Sequence, residues 1–198
     1  MTGTKDRILA AGAELFRQGG YSGTGVKQIV EKAGAPFGSL YHFFPGGKEQ
    51  LGEEVVRTSG MAYIQLFDLF IAPAPDLLTG IETFFAAGVT TLLETDYVEG
   101  CPIATVALEV ATTNEPLRKA TADVFTAWIE AGTEKFAPFG LPRDAARTLT
   151  ISLINSLEGA FVLARSMRSI EPMAVAGASV ADTARRLLAE LGVDGIRG

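Results

Sequence analysis

The side chains best suited to chemistry crowd into one short stretch. Pro36, Phe37, Gly38, Ser39, Tyr41, His42 and Lys48 fall within thirteen residues, preceded by Thr24. Hydroxyls and a ring nitrogen can bond to base edges or phosphate oxygens, and a lysine supplies a point charge for phosphate. Metal and covalent chemistry has no comparable set. His42 is the single histidine and Cys101 the single cysteine, which excludes an intrachain disulfide, a multi-cysteine zinc site and a paired-histidine site. The chain carries no nucleophile elbow, no glycine-rich phosphate loop and no paired His–carboxylate spacing. A helical enzyme working through carboxylates alone, which needs no such motif, is the competing class. Cys101 reads as a small apolar residue at a helix start, and a redox role would require a depressed thiol pKa.

Charge supports an anionic partner for one end of the molecule. The 198 residues carry a net charge of −6, with 47% hydrophobic and 20% charged residues, an ordinary globular composition. The charge is unevenly spread, because residues 1–48 sum to +3 and the remainder to −9. A small basic module on an acidic body suits local phosphate binding. The longest stretch free of Asp, Glu, Lys and Arg, Ala33 to Gly47, is interrupted by Gly34, Pro36, Gly38, Pro45 and Gly46 and does not span a bilayer. The start, MTGTKDR, lacks the apolar run of a signal peptide. The expectation is a cytoplasmic protein without a membrane partner.

The elements that must position these residues are helices throughout, since apolar residues recur at helical spacing and no stretch alternates with period two. The fold class is all-α. A first helix opens near Thr4 as N-cap and stops at Gly19-Gly20. A second, entered through Ser22 or Thr24, ends at Gly34, and a third runs from Pro36 to about Phe44. A fourth is expected from Lys48 to Ile71, ended by Ala72-Pro73-Ala74-Pro75. Further helices are expected over about 76–95, 102–112, 115–137, 143–168 and 180–191. The division expected is a short domain at 1–50 and a longer one at 51–198.

Residues 24–50 read TGVKQIVEKAGAPFGSLYHFFPGGKEQ, two short helices joined at Ala33-Gly34-Ala35. That is helix-turn-helix grammar: a small residue lets the helices cross closely, and glycine takes the positive φ of the turn. The second helix of such a unit enters the major groove of double-stranded DNA, where Phe37, Ser39 and His42 would reach base edges while Pro36 and Gly38 allow close backbone approach. Leu40 and Phe44 should face the core.

These residues, with Leu15-Phe16, Gly20-Tyr21, Ile29, Leu40-Tyr41, Phe44 and Lys48-Glu49-Gln50-Leu51, resemble the TetR family of transcriptional repressors. The resemblance implies that Thr24 caps its helix and touches phosphate, and that Tyr41 and Lys48 contact phosphate. The Pro45-Gly46-Gly47 insertion before the lysine, and Gly100-Cys101-Pro102-Ile103-Ala104 with Ala107-Leu108-Glu109, are similar to the subgroup typified by the lincomycin-resistance repressor. Two positions depart from the family: Phe43 stands where His or Tyr is frequent, and Phe37 where a polar or basic residue is frequent. The operator of a relative therefore does not transfer, and Phe37 could pack on a thymine methyl.

In the body, Phe67, Phe84, Phe85, Phe125 and Trp128 serve either as ordinary core or as lining of a cavity for a small apolar or aromatic effector. Glu109, Asn155 and Glu158, set in apolar helices, are candidate polar anchors beside Cys101. Structural hydrogen bonding or a solvent-facing stripe is the alternative for them. Small residues Ser152, Ser156, Gly159, Ala160 and Ala184 on the last two helices allow close approach. The family resemblance implies a homodimer through that helix pair, as a palindromic operator requires. No cofactor is expected. Effector binding within 76–168 should lower operator affinity.

Overall fold

The computed structural model describes residues 3–192, so the outermost ends of both expected domains, 1–2 and 193–198, lie outside the described residues. Helices account for all its regular structure: α1 Thr4–Gly19, α2 Val26–Lys32, α3 Phe37–Phe43, α4 Gly47–Tyr63, α5 Leu77–Glu94, α6 Pro102–Val110, α7 Glu115–Phe136, α8 Arg143–Met167 and α9 Glu171–Glu190. A π-helical turn spans Phe67–Ile71 and a 3-10 turn Ala137–Phe139. The chain forms two compact units, Met1–Ala62 with Cys101–Phe125, and Tyr63–Gly100 with Thr126–Gly198.

In the first unit α1, α2 and α3 pack on one another and α6 packs on α1. Its interior contains Ile8, Phe16, Ile29, Leu40, Phe44, Leu51, Ile103, Val106 and Leu117, all buried. Two helix starts differ from expectation. Gly3, and not Thr4, caps α1, its N–H donating to Asp6 Oδ2 at 3.2 Å. Gly25 caps α2, its N–H donating to Gln28 Oε1 at 2.7 Å. Thr24 is turned the other way, donating its hydroxyl to the Gly20 carbonyl at 2.7 Å.

The second unit is built on α5, α8 and α9, which pack in all three pairs. Phe67, Phe84, Phe85 and Phe136 form its aromatic centre, with Phe67 and Phe84 ring centroids 5.5 Å apart and Phe67 and Phe136 at 6.4 Å. By length and a mean hydropathy of 1.2, α5 is apolar enough to cross a membrane. Its Leu77, Ile81, Phe84, Phe85 and Leu92 are nevertheless buried in this unit, which makes it a core helix.

Two boundaries differ more. α4 stops at Tyr63, eight residues before the expected end, and Phe67–Ile71 returns as a π turn closed by Ala72 N–H on the Phe67 carbonyl at 2.9 Å. Both geometries bury Phe67 and Ile71, so apolar spacing does not separate them. α9 begins at Glu171, nine residues before the expected Val180, with Pro172 in its first turn. Met173 and Gly177 lie on the same buried face as Val180, but the surrounding alanines leave that face without apolar contrast.

Asp76 caps α5 as a side chain should, accepting the Thr79 N–H and hydroxyl, each at 2.8 Å. Those bonds hold its carboxyl below the usual aspartate range. A folded pKa below the unfolded one adds stability above the ordinary aspartate range, lost as pH falls through the folded value. Asp76→Ala should therefore cost about 1 kcal/mol at neutral pH. In thermal unfolding across a pH series, the gap between variant and wild type should close in strong acid.

Candidate nucleic-acid interface

The turn between α2 and α3 follows from three residues. Ala33 is buried where the helices meet, Gly34 adopts φ +57°, and the Ala35 N–H returns to the Val30 carbonyl at 2.9 Å. α3 is thereby held with Leu40 inward and fully buried, followed by buried Phe44. Its other side is unusually apolar for an exposed surface: Phe37 is 55% and Tyr41 49% exposed, and their ring centroids lie 5.9 Å apart. Pro36, Gly38 and His42 are exposed beside them, and Ser39 is half-buried. Exposed aromatic rings in a cluster mark an interaction surface.

Lys48 stands in the first turn of α4, half-buried, with its ammonium 4.3 Å from the centroid of the Tyr21 ring. Burial pushes the Lys48 ammonium below its usual range, and the nearby Glu109 carboxylate acts in the opposite direction. Burial, then the charge of Glu49, pushes the Tyr21 phenol up. Two other lysines of this unit meet its own carboxylates: Lys5 meets Glu54 at 2.8 Å and Lys32 meets Glu14 at 2.7 Å. The Lys32 hydrogen bond in turn holds Glu14 below the usual carboxylate range. Thr24, expected to touch phosphate, is 3% exposed with its hydroxyl proton given to Gly20. Its side chain shapes the turn from within.

The residues proposed from sequence as ligand contacts are divided between the two units. Phe67, Phe84 and Phe85 share the aromatic centre of the second unit, and Trp128 is buried elsewhere in that unit with its ring 5.9 Å from Tyr63. Asn155 is exposed and Glu158 half-buried on α8. Phe125, Cys101 and Glu109 belong to the first unit. Cys101 caps α6, its sulfur accepting the Ala104 N–H at 3.4 Å. Glu109 departs furthest from its expected role, because its two oxygens accept the Tyr21 N–H at 3.1 Å and the Ser22 N–H at 2.6 Å. Structural hydrogen bonding, the alternative left open for this residue, is what these bonds supply. Sequence singled out Glu109 as a charge in an apolar helix, but its partners lie 87 and 88 positions away and left no local signal. Tyr21 as the seat of Lys48 was missed for the same reason.

This arrangement defines a helix-turn-helix DNA-binding protein of the transcription-regulator class. The description "Bacterial regulatory proteins, tetR family" matches residues 8–55, and "Transcriptional regulator LmrA/YxaF-like, C-terminal domain" matches residues 78–179. The chain is 32% identical to the uncharacterized HTH-type transcriptional regulator YxaF of Bacillus subtilis, over 86% of this chain and 89% of that protein. It is 31% identical to the HTH-type transcriptional regulator LmrA of the same species, over 92% and 97% of the two chains. Among solved structures it is similar to Escherichia coli NemR in its reduced form, with TM-score 0.76 and 25% identity over 89% and 94% of the chains. A TetR transcriptional regulator from Legionella pneumophila shares the fold, with TM-score 0.80 at 21% identity over 92% and 98%. The chain belongs to the TetR family of transcriptional regulators.

Lys48→Ala should weaken binding to all DNA sequences alike, and the salt slope should shrink by about 0.9 for each phosphate no longer neutralised. Ser39→Ala should instead change the ranking of base-substituted sites. Fluorescence anisotropy over a salt series and a panel of site variants checks both.

Proposed function

We propose that the chain is a homodimeric repressor that binds a palindromic operator and is released by a small apolar or aromatic effector. The observation that carries the reading is the outward aromatic and hydrogen-bonding face of α3 beside Lys48. In this reading Pro36, Phe37, Gly38, Ser39 and His42 face the major groove, and Tyr41 and Lys48 meet phosphate. DNA contact is the task of residues 1–50, and ligand binding and dimerisation that of 51–198, although Cys101–Phe125 packs in the first unit. The protein acts in the cytoplasm, where its operator is.

Dimerisation is supported by what α8 and α9 leave uncovered. Val162, Leu163 and Val175 are exposed, and Gly159, Ala174 and Ala178 are exposed small residues on the same two helices. Ala160 and Ala184, counted with that face from sequence, are buried within the second unit and serve its own packing. A palindromic operator asks for a two-fold dimer with its two copies of α3 about 35 Å apart, one DNA turn, and the reading assigns the pairing to this exposed stripe.

The effector is assigned to the second unit, among Phe67, Phe84, Phe85 and Trp128. It acts only if it prefers a conformation with misplaced recognition helices, because equal affinity for both states shifts nothing. The coupling is reciprocal, so operator must change effector affinity by the same factor that effector changes operator affinity.

A mobility-shift titration with the promoter fragment beside the chain's own gene tests the function. A salt-sensitive shift is expected, and no shift at low salt overturns the reading. Leu163→Glu should convert a sedimenting dimer to a monomer with unchanged helical circular dichroism, and operator affinity should fall at least about tenfold as half-site cooperation disappears.

A further inference from the structure

Glu109 is the single charged residue of α6, whose sequence is PIATVALEV. Its carboxylate does not face solvent alone but takes the backbone N–H of Tyr21 on one oxygen and that of Ser22 on the other. A carboxylate holding two consecutive amides fixes both the position and the tilt of a turn, through charge-assisted bonds. The preceding residue is Gly20, at φ +75°, where an added Cβ would lie 1.8 Å from Glu109 Oε1. Only glycine leaves room for the carboxylate there.

The held turn carries Tyr21, and the ring of Tyr21 does two things. It lies against α4 at Gly52, where an added Cβ would stand 2.9 Å from Tyr21 Cε2, and it underlies the Lys48 ammonium. Just past α6, Asn114 makes a second grip. Its Nδ2 donates to Glu49 Oε2 at 2.6 Å while its Oδ1 accepts the Leu117 N–H at 2.9 Å. The two grips converge on the first turn of α4, one on Lys48 through Tyr21 and one on Glu49.

We infer that Glu109 is a positioning residue for DNA contact: by holding the Tyr21-Ser22 turn it seats the Tyr21 ring beneath Lys48 and makes α6 a working part of the DNA-binding head. The inference rests on the reading of Lys48 as a phosphate contact. Electrostatics alone demands the opposite effect from this residue. A carboxylate near a surface that meets a polyanion repels it, so deleting that charge should tighten binding. Geometry predicts loosening, and the sign of the change separates the two.

The experiment uses the full chain and a DNA fragment that the wild type binds, titrated over a salt series with Glu109→Gln, Lys48→Ala and the double variant. Glu109→Gln keeps one acceptor oxygen and removes the charge. Binding about tenfold weaker is expected, with a salt slope that falls by the same amount as in Lys48→Ala, about 0.9 per phosphate no longer neutralised. The double variant should bind no more weakly than Lys48→Ala, because both changes remove the same interaction with phosphate. Amide hydrogen exchange in the free protein should speed up at Tyr21 and Ser22 while the α5, α8 and α9 amides keep their rates. Glu109→Asp, which retains the charge but shortens the reach, should also bind more weakly, and it carries the same comparisons if Glu109→Gln loses its fold. Glu109→Gln binding as tightly as wild type or tighter overturns the inference, as does a loss that multiplies with that of Lys48→Ala. A wild type that binds no DNA overturns the function itself, and is recognised before any variant is made.

Discussion

The DNA-contacting head is too small to close its own interior, and the rest of the first unit follows from that constraint. Chains of about forty to sixty residues bury a smaller fraction of their surface than larger domains do and are marginal alone. Here Ile103 and Val106 of α6 and Leu117 of α7 are buried in the same unit as Ile8, Phe16 and Leu51. Leu117 reaches α4 closely enough that an added Cβ on Gly52 would lie 3.0 Å from its Cδ2. Residues that a linear division assigns to the regulatory body therefore complete the core of the head. Any displacement of α6 or of the start of α7 is felt there without a separate relay.

Charge in the head is arranged by local neutralisation. The pairs Lys5–Glu54, Lys32–Glu14 and Lys27–Glu31 are surface ion pairs, and such pairs contribute little to stability. Their more useful effect is to leave the excess positive charge of the module on fewer side chains. Lys48 sits 4.3 Å from the Tyr21 ring centroid, nearer than Lys5 to that of Phe44 at 5.4 Å, so in the proposed reading its ammonium has less side-chain freedom to lose on meeting phosphate.

Two of the exposed apolar surfaces bear on the proposed function: the Phe37–Tyr41 face of α3, and Val162, Leu163 and Val175 of α8 and α9. The first is narrow and flanked by backbone that allows close approach, which suits a groove. The second has exposed Gly159, Ala174 and Ala178 on the same two helices, which suits another helix pair.

Much of this was legible in the sequence because it depends on neighbours in the chain. Helical periodicity, the Gly34 turn and the inward Leu40 and Phe44 are decided by residues within a few positions of one another. The end of α4 and the start of α9 were not, since a π turn and an α-helix share apolar spacing and an alanine-rich turn has no contrast to read. The role of Glu109 lay beyond local reasoning altogether. Sequence determined that a carboxylate in an apolar helix needs a partner. Only the tertiary structure decided that the Tyr21-Ser22 backbone is that partner, because amides are carried by every residue but proline and leave no trace in residue type.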